Sequence, residues 1–118
     1  MEQTRLHEIA HARAGDKGNR SNISLIPYKP EAYEILIDQI TEERVLALFH
    51  NKGATKVTRY KLPNLPALNF VIDDVLEGGV NSALNLDQHG KTLSFLLLTL
   101  SINAPTNLIM KPTTLNHP

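Results

Sequence analysis

The chain of 118 residues contains no cysteine, and its charged side chains cancel, with 12 of each sign. The absence of cysteine excludes disulfide scaffolds, thiol catalysis, zinc ribbons and iron–sulfur clusters. A net charge of zero argues against nucleic-acid binding and against polybasic attachment to a membrane. A transmembrane helix needs about 20 predominantly apolar residues, and every apolar run in the sequence is far shorter. The first residues do not resemble a secretory signal. We therefore expect a cytoplasmic protein.

What remains is the composition of one globular domain, with 42% apolar residues. The charge is unevenly distributed, because residues 1–61 carry ten basic and eight acidic side chains and residues 62–118 carry two and four. The charge-poor second half predicts helices that are buried on more than one face or in a subunit interface. We predict a domain over residues 1–104. Residues 105–118, with three prolines and no clear periodicity, are expected to form a flexible or surface-draped tail.

Two strands joined by a glycine-bearing loop are expected at the start of the chain. Thr4–Ala12 is short and mixed in character and is followed by glycines. Asn22–Tyr28 is rich in Ile and Leu and is ended by prolines. Arg13–Asn19 is the loop between them, so the three segments predict a β-hairpin.

Two helices are predicted next. Glu31–Ile40 has apolar residues at spacings of three and four, which is the period of an amphipathic helix. Thr41 is the expected N-cap of a second short helix, and Glu42 and Glu43 occupy its first turn, where the helix dipole favours acids. Gly53 is expected just beyond its end.

The second half alternates between strands and helices. Thr55–Leu62 is β-branched and predicts a strand. Ala67–Glu77 predicts the clearest helix, with five apolar residues at i, i+3, i+4, i+7 and i+8, namely Leu68, Val71, Ile72, Val75 and Leu76. Ala83–Asp87 is expected to be a short strand, and residues 92–102 a helix that gives way to a final strand near Leu98. The order β-β-α-α-β-α-β-α-β predicts an α+β two-layer sandwich with helices on one face of a sheet.

The residues from His7 to His11 spell the H-E-x-x-H motif, in which two histidines on one helix face bind zinc and the glutamate activates water. Glu34 is a tolerable third ligand by spacing. The glycines at 15 and 18 leave little room for a long helix. On a strand the two histidines would lie about 13 Å apart, too far to share one metal. Two edge histidines on a strand are therefore the simpler interpretation, and we predict no metal site.

A second motif, over residues 85–92, ends in the Gly-Lys-Thr of a phosphate-binding P-loop. Asn85 stands where that motif requires its first glycine. A turn with Gly90 at positive φ is the better interpretation. We predict no cofactor.

The segment from residue 12 to residue 22 is the richest in polar and charged groups. Three cations, Arg13, Lys17 and Arg20, lie in or beside the predicted loop. Gly15 and Gly18 can adopt backbone angles that are closed to other residues, so that successive N–H groups can point inward at an anion. The loop therefore predicts a site for a phosphate or a carboxylate. The alternative is a well-made hairpin loop with no ligand.

Further polar residues complete this candidate site. Asp16 is the candidate acid–base group, and it otherwise pairs with Arg13 to hold the hairpin loop. Asn19 lies in the same loop. Asn64 is most simply the cap of the helix predicted after it. Asn69 is a poor helix former, so we expect it to hydrogen-bond a neighbouring loop or a ligand.

Three motifs occur together in the chain. They are Ala12–Asn19 with Asn22 and Ile23, then Arg59–Asn64 with Ala67–Phe70, and Leu86–Asp87 with Gly90–Leu93. Together they resemble the small C-terminal domain of the acyclic terpene utilisation (AtuA-type) family, over roughly residues 5–103. One departure is Ala14, where the family often has serine.

The resemblance implies a ferredoxin-like α+β fold and a setting in the catabolism of acyclic isoprenoids or branched acids as coenzyme A thioesters. It also implies a separate partner, because in longer family members this domain follows a larger N-terminal domain. The leading hypothesis is an accessory subunit that binds an anionic small molecule such as an acyl-CoA. The alternatives are a structural homo-oligomerisation module and a small acyl-CoA hydratase or lyase that uses Asp16.

Overall fold

The computed structural model of the chain describes residues 1–17, 20–75 and 93–109, with the backbone alone at Asp16 and Lys17. The described part contains two antiparallel sheets. The smaller sheet pairs β1 (Glu2–Arg5) with β6 (Ser101–Ala104). The larger sheet has the strand order β2-β3-β5-β4, formed by β2 (Ala10–Lys17), β3 (Arg20–Pro27), β4 (Lys56–Lys61) and β5 (Leu68–Asp73).

Helices α1 (Tyr33–Gln39) and α2 (Glu42–Phe49) follow β3, and residues 93–98 form a third helical segment, α3. The predicted pair of helices is confirmed. The hydroxyl of Thr41 accepts a hydrogen bond from the backbone N–H of Arg44 at 3.1 Å, as expected of an N-cap. After α2 a short 3-10 turn leads to Gly53, whose φ of 95° is the left-handed conformation that ends a helix.

The Thr41 cap gives the first testable prediction. Thr41→Ala should lower the free energy of unfolding by about 1 kcal/mol, because the N–H of Arg44 loses its acceptor. Thr41→Ser keeps that acceptor and serves as the matched control. Urea denaturation followed by circular dichroism measures both variants, and equal stabilities of the alanine and serine forms would show that the cap contributes nothing.

The hydrophobic core lies between the larger sheet and the helices. On β3 and β5 every second residue is buried, so one face of the sheet is covered by the core. Side chains from both layers have no solvent exposure, among them Ile23, Leu25, Leu68, Phe70 and Ile72 from the sheet and Leu36, Val45 and Phe49 from the helices. The chain therefore has the predicted α+β architecture, with helices packed on one face.

The helix predicted over Ala67–Glu77 is wrong, because its described part contains strand β5. Leu68, Phe70 and Ile72 are buried and the residues between them are partly exposed, which is the two-residue period of a strand. Its position between β3 and β4 leaves Val71 half-buried on the other face. Apolar residues on both faces of a central strand thus imitated a helical spacing.

The N-terminal prediction also needs correction. The expected single strand Thr4–Ala12 is divided into β1, a 3-10 turn over Leu6–Glu8, and the start of β2. The turn forms because Leu6 is buried and its N–H donates to the carbonyl of Leu100 at 2.8 Å, which carries the chain from the smaller sheet to the larger one. The loop predicted over Arg13–Asn19 is wrong for residues 13–17, because these residues belong to β2.

At the other end of the chain, the predicted change from helix to strand within residues 92–102 is confirmed by α3 and β6. Beyond β6, residues 106–108 form a 3-10 turn, and Leu108 and Ile109 are buried. The strand predicted at Ala83–Asp87 lies outside the described residues.

Side chains at the junction between α1 and α2 cap one edge of each sheet. The amide of Gln39 donates to the carbonyl of Asn103 at 2.8 Å and accepts from its N–H at 2.9 Å, as a neighbouring strand would. Arg44 donates to the carbonyl of Ser101 at 2.9 Å on the same strand, β6. Glu42 accepts from the backbone N–H of Arg59 at 2.8 Å, on the edge of β4. We call this group the edge-capping junction.

Candidate functional site

The larger sheet has one face that the helices do not cover, which we call the outer face. It consists of the residues of β2 to β5 that alternate with the buried ones, because neighbouring residues of a strand point to opposite sides and directly paired residues point to the same side. Its described side chains are mostly polar, charged or aromatic, namely His11, Arg13, Arg20, Asn22, Ser24, Ile26, Lys56, Thr58, Tyr60, Asn69, Val71 and Asp73.

Arg13 and Asn69, two of the predicted site residues, lie in one row across this face. Arg13 pairs with Ser24, Ser24 pairs with Asn69, and Asn69 pairs with Tyr60. The hydroxyl of Ser24 donates to the side-chain carbonyl of Asn69 at 3.2 Å. That bond occupies the acceptor of the amide and leaves its N–H donors facing the same side as Arg13. The row therefore offers a guanidinium and amide donors to one ligand.

The neighbouring row runs through Gly15, Asn22, Val71 and Thr58. Gly15 is exposed and pairs with Asn22, whose side-chain nitrogen lies 3.8 Å from the place that a Cβ on Gly15 would occupy. That distance is an ordinary van der Waals contact, so the fold itself has room for a side chain at this position. Gly15 therefore leaves a shallow gap in the outer face beside Arg13.

The rest of the predicted loop is described only in part. Asp16 pairs with Ser21 and Lys17 with Arg20 through the backbone, as members of β2 and β3. Their side chains, and Gly18 and Asn19 entirely, lie outside the described residues. The roles predicted for these four positions in binding and in proton transfer stay predictions.

Arg20, counted with the cations of the loop, has a partner on the outer face. Its Nε lies 2.7 Å from a carboxylate oxygen of Asp73, on the adjacent strand β5. Asp73 belongs to a segment that was predicted to be helical, so this ion pair was not foreseeable from the sequence. Arg13 is consequently the exposed arginine on this face with no carboxylate partner among the described residues.

Asn64 is placed differently from the prediction. It lies in the exposed turn that joins β4 to β5, and the segment it was expected to cap as a helix is a strand. The turn closes through the N–H of Leu62, which donates to the carbonyl of Ala67 at 3.1 Å. The pair Lys17 and Arg20 lies at the other end of the sheet, about 17 Å away along β5 at 3.4 Å per residue. The predicted site residues are therefore divided between two ends of the outer face.

Aromatic side chains near the Asn64 end were missed by the sequence interpretation. The rings of His11 and Tyr28 stack with their centres 5.3 Å apart. Tyr60 is 52% exposed on the same face. The strand predicted over Thr55–Leu62 contained the signal for Tyr60, but its partner Asn69 had been assigned to a helix.

The H-E-x-x-H motif is divided between the 3-10 turn over Leu6–Glu8 and strand β2. His7 lies in the 3-10 turn and is exposed, whereas His11 lies in β2 with its ring against Tyr28. One carboxylate oxygen of Glu8 is buried with no hydrogen-bond partner among the described residues. Across residues 1–17, 20–75 and 93–109, no group of three or more His, Asp or Glu side chains is arranged to hold a metal ion. The P-loop letters at 85–92 lie outside the described part of the chain.

Comparison with known proteins identifies the family. The model of the AtuA ferredoxin-like domain matches residues 4–103, which is most of the chain and includes all the strands of both described sheets except the first residues of β1 and the last of β6. No curated protein and no solved structure matches the chain. Within the described residues, no helix is long and apolar enough to cross a membrane. The match and the α+β fold agree, and the chain belongs to the AtuA ferredoxin-like domain family.

Proposed function

We propose that this domain is a ligand-binding accessory subunit that holds an anionic small molecule on the outer face of its sheet. The observation that carries the proposal is the row from Arg13 through Ser24 and Asn69 to Tyr60. The ligand class is an acyl-CoA of an acyclic isoprenoid or branched acid, which the family resemblance suggests.

The chemistry of the row supports an anion. The guanidinium of Arg13 presents a planar fork of N–H donors that matches the oxygens of a phosphate or a carboxylate. Asn69 offers further donors, because its carbonyl oxygen already accepts from Ser24. Arg20 contributes less to the attraction of an anion, since Asp73 compensates its charge.

The two ends of the row suit the two ends of such a ligand. Arg13 lies on β2, at one edge of the sheet, with Gly15 beside it. Tyr60 supplies an exposed ring on β4, at the opposite edge, and aromatic surface favours contact with an acyl chain or a base. In this proposal Asp16 holds the cations in place or carries a proton.

The binding test is a thermal-shift titration with coenzyme A and with branched acyl-CoA thioesters, since a ligand that binds only the native state raises the melting temperature. Arg13→Ala should weaken binding by about 10- to 100-fold, which corresponds to the loss of charge-assisted hydrogen bonds worth about 1.5–3 kcal/mol. Lys52→Ala, which removes a cation from the 3-10 turn after α2, should bind as the natural protein does. Equal shifts for the Arg13 and Lys52 variants would overturn the proposal.

A second arm of the test addresses the undescribed side chains. Asp16→Ala and Lys17→Ala should weaken the binding of the thioester or the assembly with a protein that carries the larger AtuA-type domain. Binding is read from the thermal shift and assembly from sedimentation of the mixture. If both variants keep both properties, the site does not extend into residues 16–19.

A further inference from the structure

The two edges of the larger sheet are treated differently. On the β4 edge, the outward N–H of Arg59 is bound by the carboxylate of Glu42. On β6, the edge of the smaller sheet, Gln39 and Arg44 bind the backbone of residues 101 and 103. The β2 edge has no such cap from the described part of the chain. An uncapped strand edge is a template for pairing with another chain.

The backbone groups that face this open edge can be identified. The N–H of Tyr28 donates to the carbonyl of Ile9 at 2.9 Å, one step beyond the pairing of Ala10 with Pro27. Hydrogen-bonded and non-hydrogen-bonded pairs alternate along an antiparallel ladder. The even-numbered residues of β2 therefore direct their N–H and C=O groups outward, and these residues are Ala10, Ala12, Ala14 and Asp16.

The side chains along this edge suit close approach. Ala10, Ala12 and Ala14 are small, and β2 contains no proline, which is one of the residues that protect open strands. Gly15 is exposed, and the fold has room for a side chain at this position, so packing within the chain does not require a glycine there. A glycine within a strand also lowers stability. A glycine that its own fold does not require often marks the approach of another backbone or side chain.

We propose that β2 pairs with β2 of a second copy of this chain, antiparallel and about a two-fold axis normal to the sheet, with Ala14 opposite Ala14 of the second copy. The two larger sheets then form one continuous sheet. In this arrangement the residues at 12, 14 and 16 make about six backbone hydrogen bonds between the copies.

Charge and size select this register. A two-fold axis normal to the sheet keeps the outer faces of both copies on the same side. It also places one residue of β2 directly opposite the same residue of the second copy, and this residue defines the register. Centring on Arg13 places two guanidinium groups directly opposite each other, which is unfavourable. Centring on Ala12 places Arg13 opposite His11, and centring on Ala14 places Lys17 opposite His11, so these pairs do not distinguish the two registers. Centring on Ala14 places Arg13 over Gly15 of the second copy, where the missing side chain leaves room for it.

The interface does not depend on the ligand proposed above, because it is formed by the backbone edge. It does bring the two outer faces together, with Arg13 of each copy near the junction. An anion bound at the junction would then contact both copies.

The test uses the absence of natural cysteine, which makes single cysteines specific probes of the register. Cysteines are placed one at a time at Ala12, Arg13 and Ala14, and at Ala47 on the exposed side of α2 as the control. In the proposed register only the pair at 14 lies within the about 4.4–6.8 Å between Cα atoms that a disulfide spans. Ala14→Cys should therefore cross-link under mild oxidation several-fold more than the other three. Cross-linking that is strongest at 12 or 13, or no greater at 14 than at 47, would overturn the proposal.

A backbone variant tests the hydrogen bonds without cysteine. Ala14→Pro removes an N–H that points away from β3, so the monomer should keep its circular dichroism spectrum, whereas the dimer should weaken at least about tenfold in sedimentation equilibrium. Val57→Pro on the β4 edge is the control and should leave self-association unchanged. A natural protein that sediments as a monomer at all concentrations, or an alanine-to-proline variant that dimerises equally well, would contradict the proposal. Neither variant removes Arg13, so the outcome is independent of the ligand titration.

Discussion

Replacing Phe70 with alanine is expected to lower the free energy of unfolding by about 3–5 kcal/mol, which is the usual cost of removing a buried aromatic ring. Phe70 has no solvent exposure and lies in β5, with Ile23 of β3 on one side and Arg59 of β4 on the other. A ring at the centre of the sheet has no neighbour that can move in without disturbing a ladder. The cost is a large share of the roughly 5–15 kcal/mol that stabilises an ordinary domain.

The control for this prediction also distinguishes the strand from the helix that the sequence suggested. In a helix Val71 belongs to the buried stripe and Phe70 does not, whereas in β5 the reverse holds. Val71→Thr should therefore cost less than about 1 kcal/mol, and Ile72→Thr, which buries a hydroxyl on the core side, should cost about 1–3 kcal/mol more. Urea denaturation of the three variants measures these differences. A Val71 variant that loses more stability than the Ile72 variant would contradict the strand assignment of the outer and inner faces.

Replacing Arg59 with methionine is expected to cost about 2–3 kcal/mol, the scale of hydrogen bonds made by a charged donor. One terminal nitrogen of Arg59 donates to the carbonyls of Ile37 at 2.7 Å and Ile40 at 2.9 Å, at the C-terminal end of α1. Those carbonyls have no intrahelical partners, and a cation at this end also complements the helix dipole. Methionine keeps much of the apolar stem but leaves both carbonyls without this donor.

Two controls make the Arg59 prediction specific. Lys61→Met removes a cation from an exposed position two residues further along the same strand, and it should change the stability by less than about 0.5 kcal/mol. Arg59→Lys keeps the charge and should recover part of the loss. The measurement is again the free energy of unfolding, with the methionine variant also followed in high salt. A loss of stability that high salt abolishes would identify an ion pair instead of hydrogen bonds to the carbonyls of Ile37 and Ile40. Equal stabilities of Arg59→Met and Lys61→Met would contradict the prediction.

The sequence predicted the elements whose signals are local. Thr41 and Gly53 mark the limits of the second helix through chemistry that depends on a few neighbouring residues, and both were correctly placed. The change from helix to strand after residue 98 was also found, because a helical segment and an alternating segment follow each other there. The α+β architecture followed from the order of the elements even though one of them was assigned to the wrong type.

The errors arose where tertiary position decides the structure. β5 carries one apolar residue, Val71, on its outer face beside the buried residues of its inner face, so its pattern satisfied a helical period as well as an alternating one. The same error hid the outer face, because Asn69 can join Arg13 only if residue 69 lies in a strand beside β3. Gly15 predicted a loop, although in β2 its backbone is an ordinary member of the ladder. Arg13 and Asn69 lie on one face of the sheet because strands that are distant in sequence pair with each other, and their role in binding stays a prediction.

The pairing of β1 with β6 has a consequence for the order in which the chain folds. Arg5 hydrogen-bonds the carbonyl of Thr99, a separation of 94 residues, whereas β2 and β3, and β4 and β5, pair although they are close in sequence. Closing a long loop costs more chain entropy, and such contacts form slowly. During synthesis the N-terminal strand has no partner until residues 101–104 have left the ribosome. A protein that binds the nascent chain in that interval therefore has access to an unpaired β1, while the two hairpins of the larger sheet can already be formed.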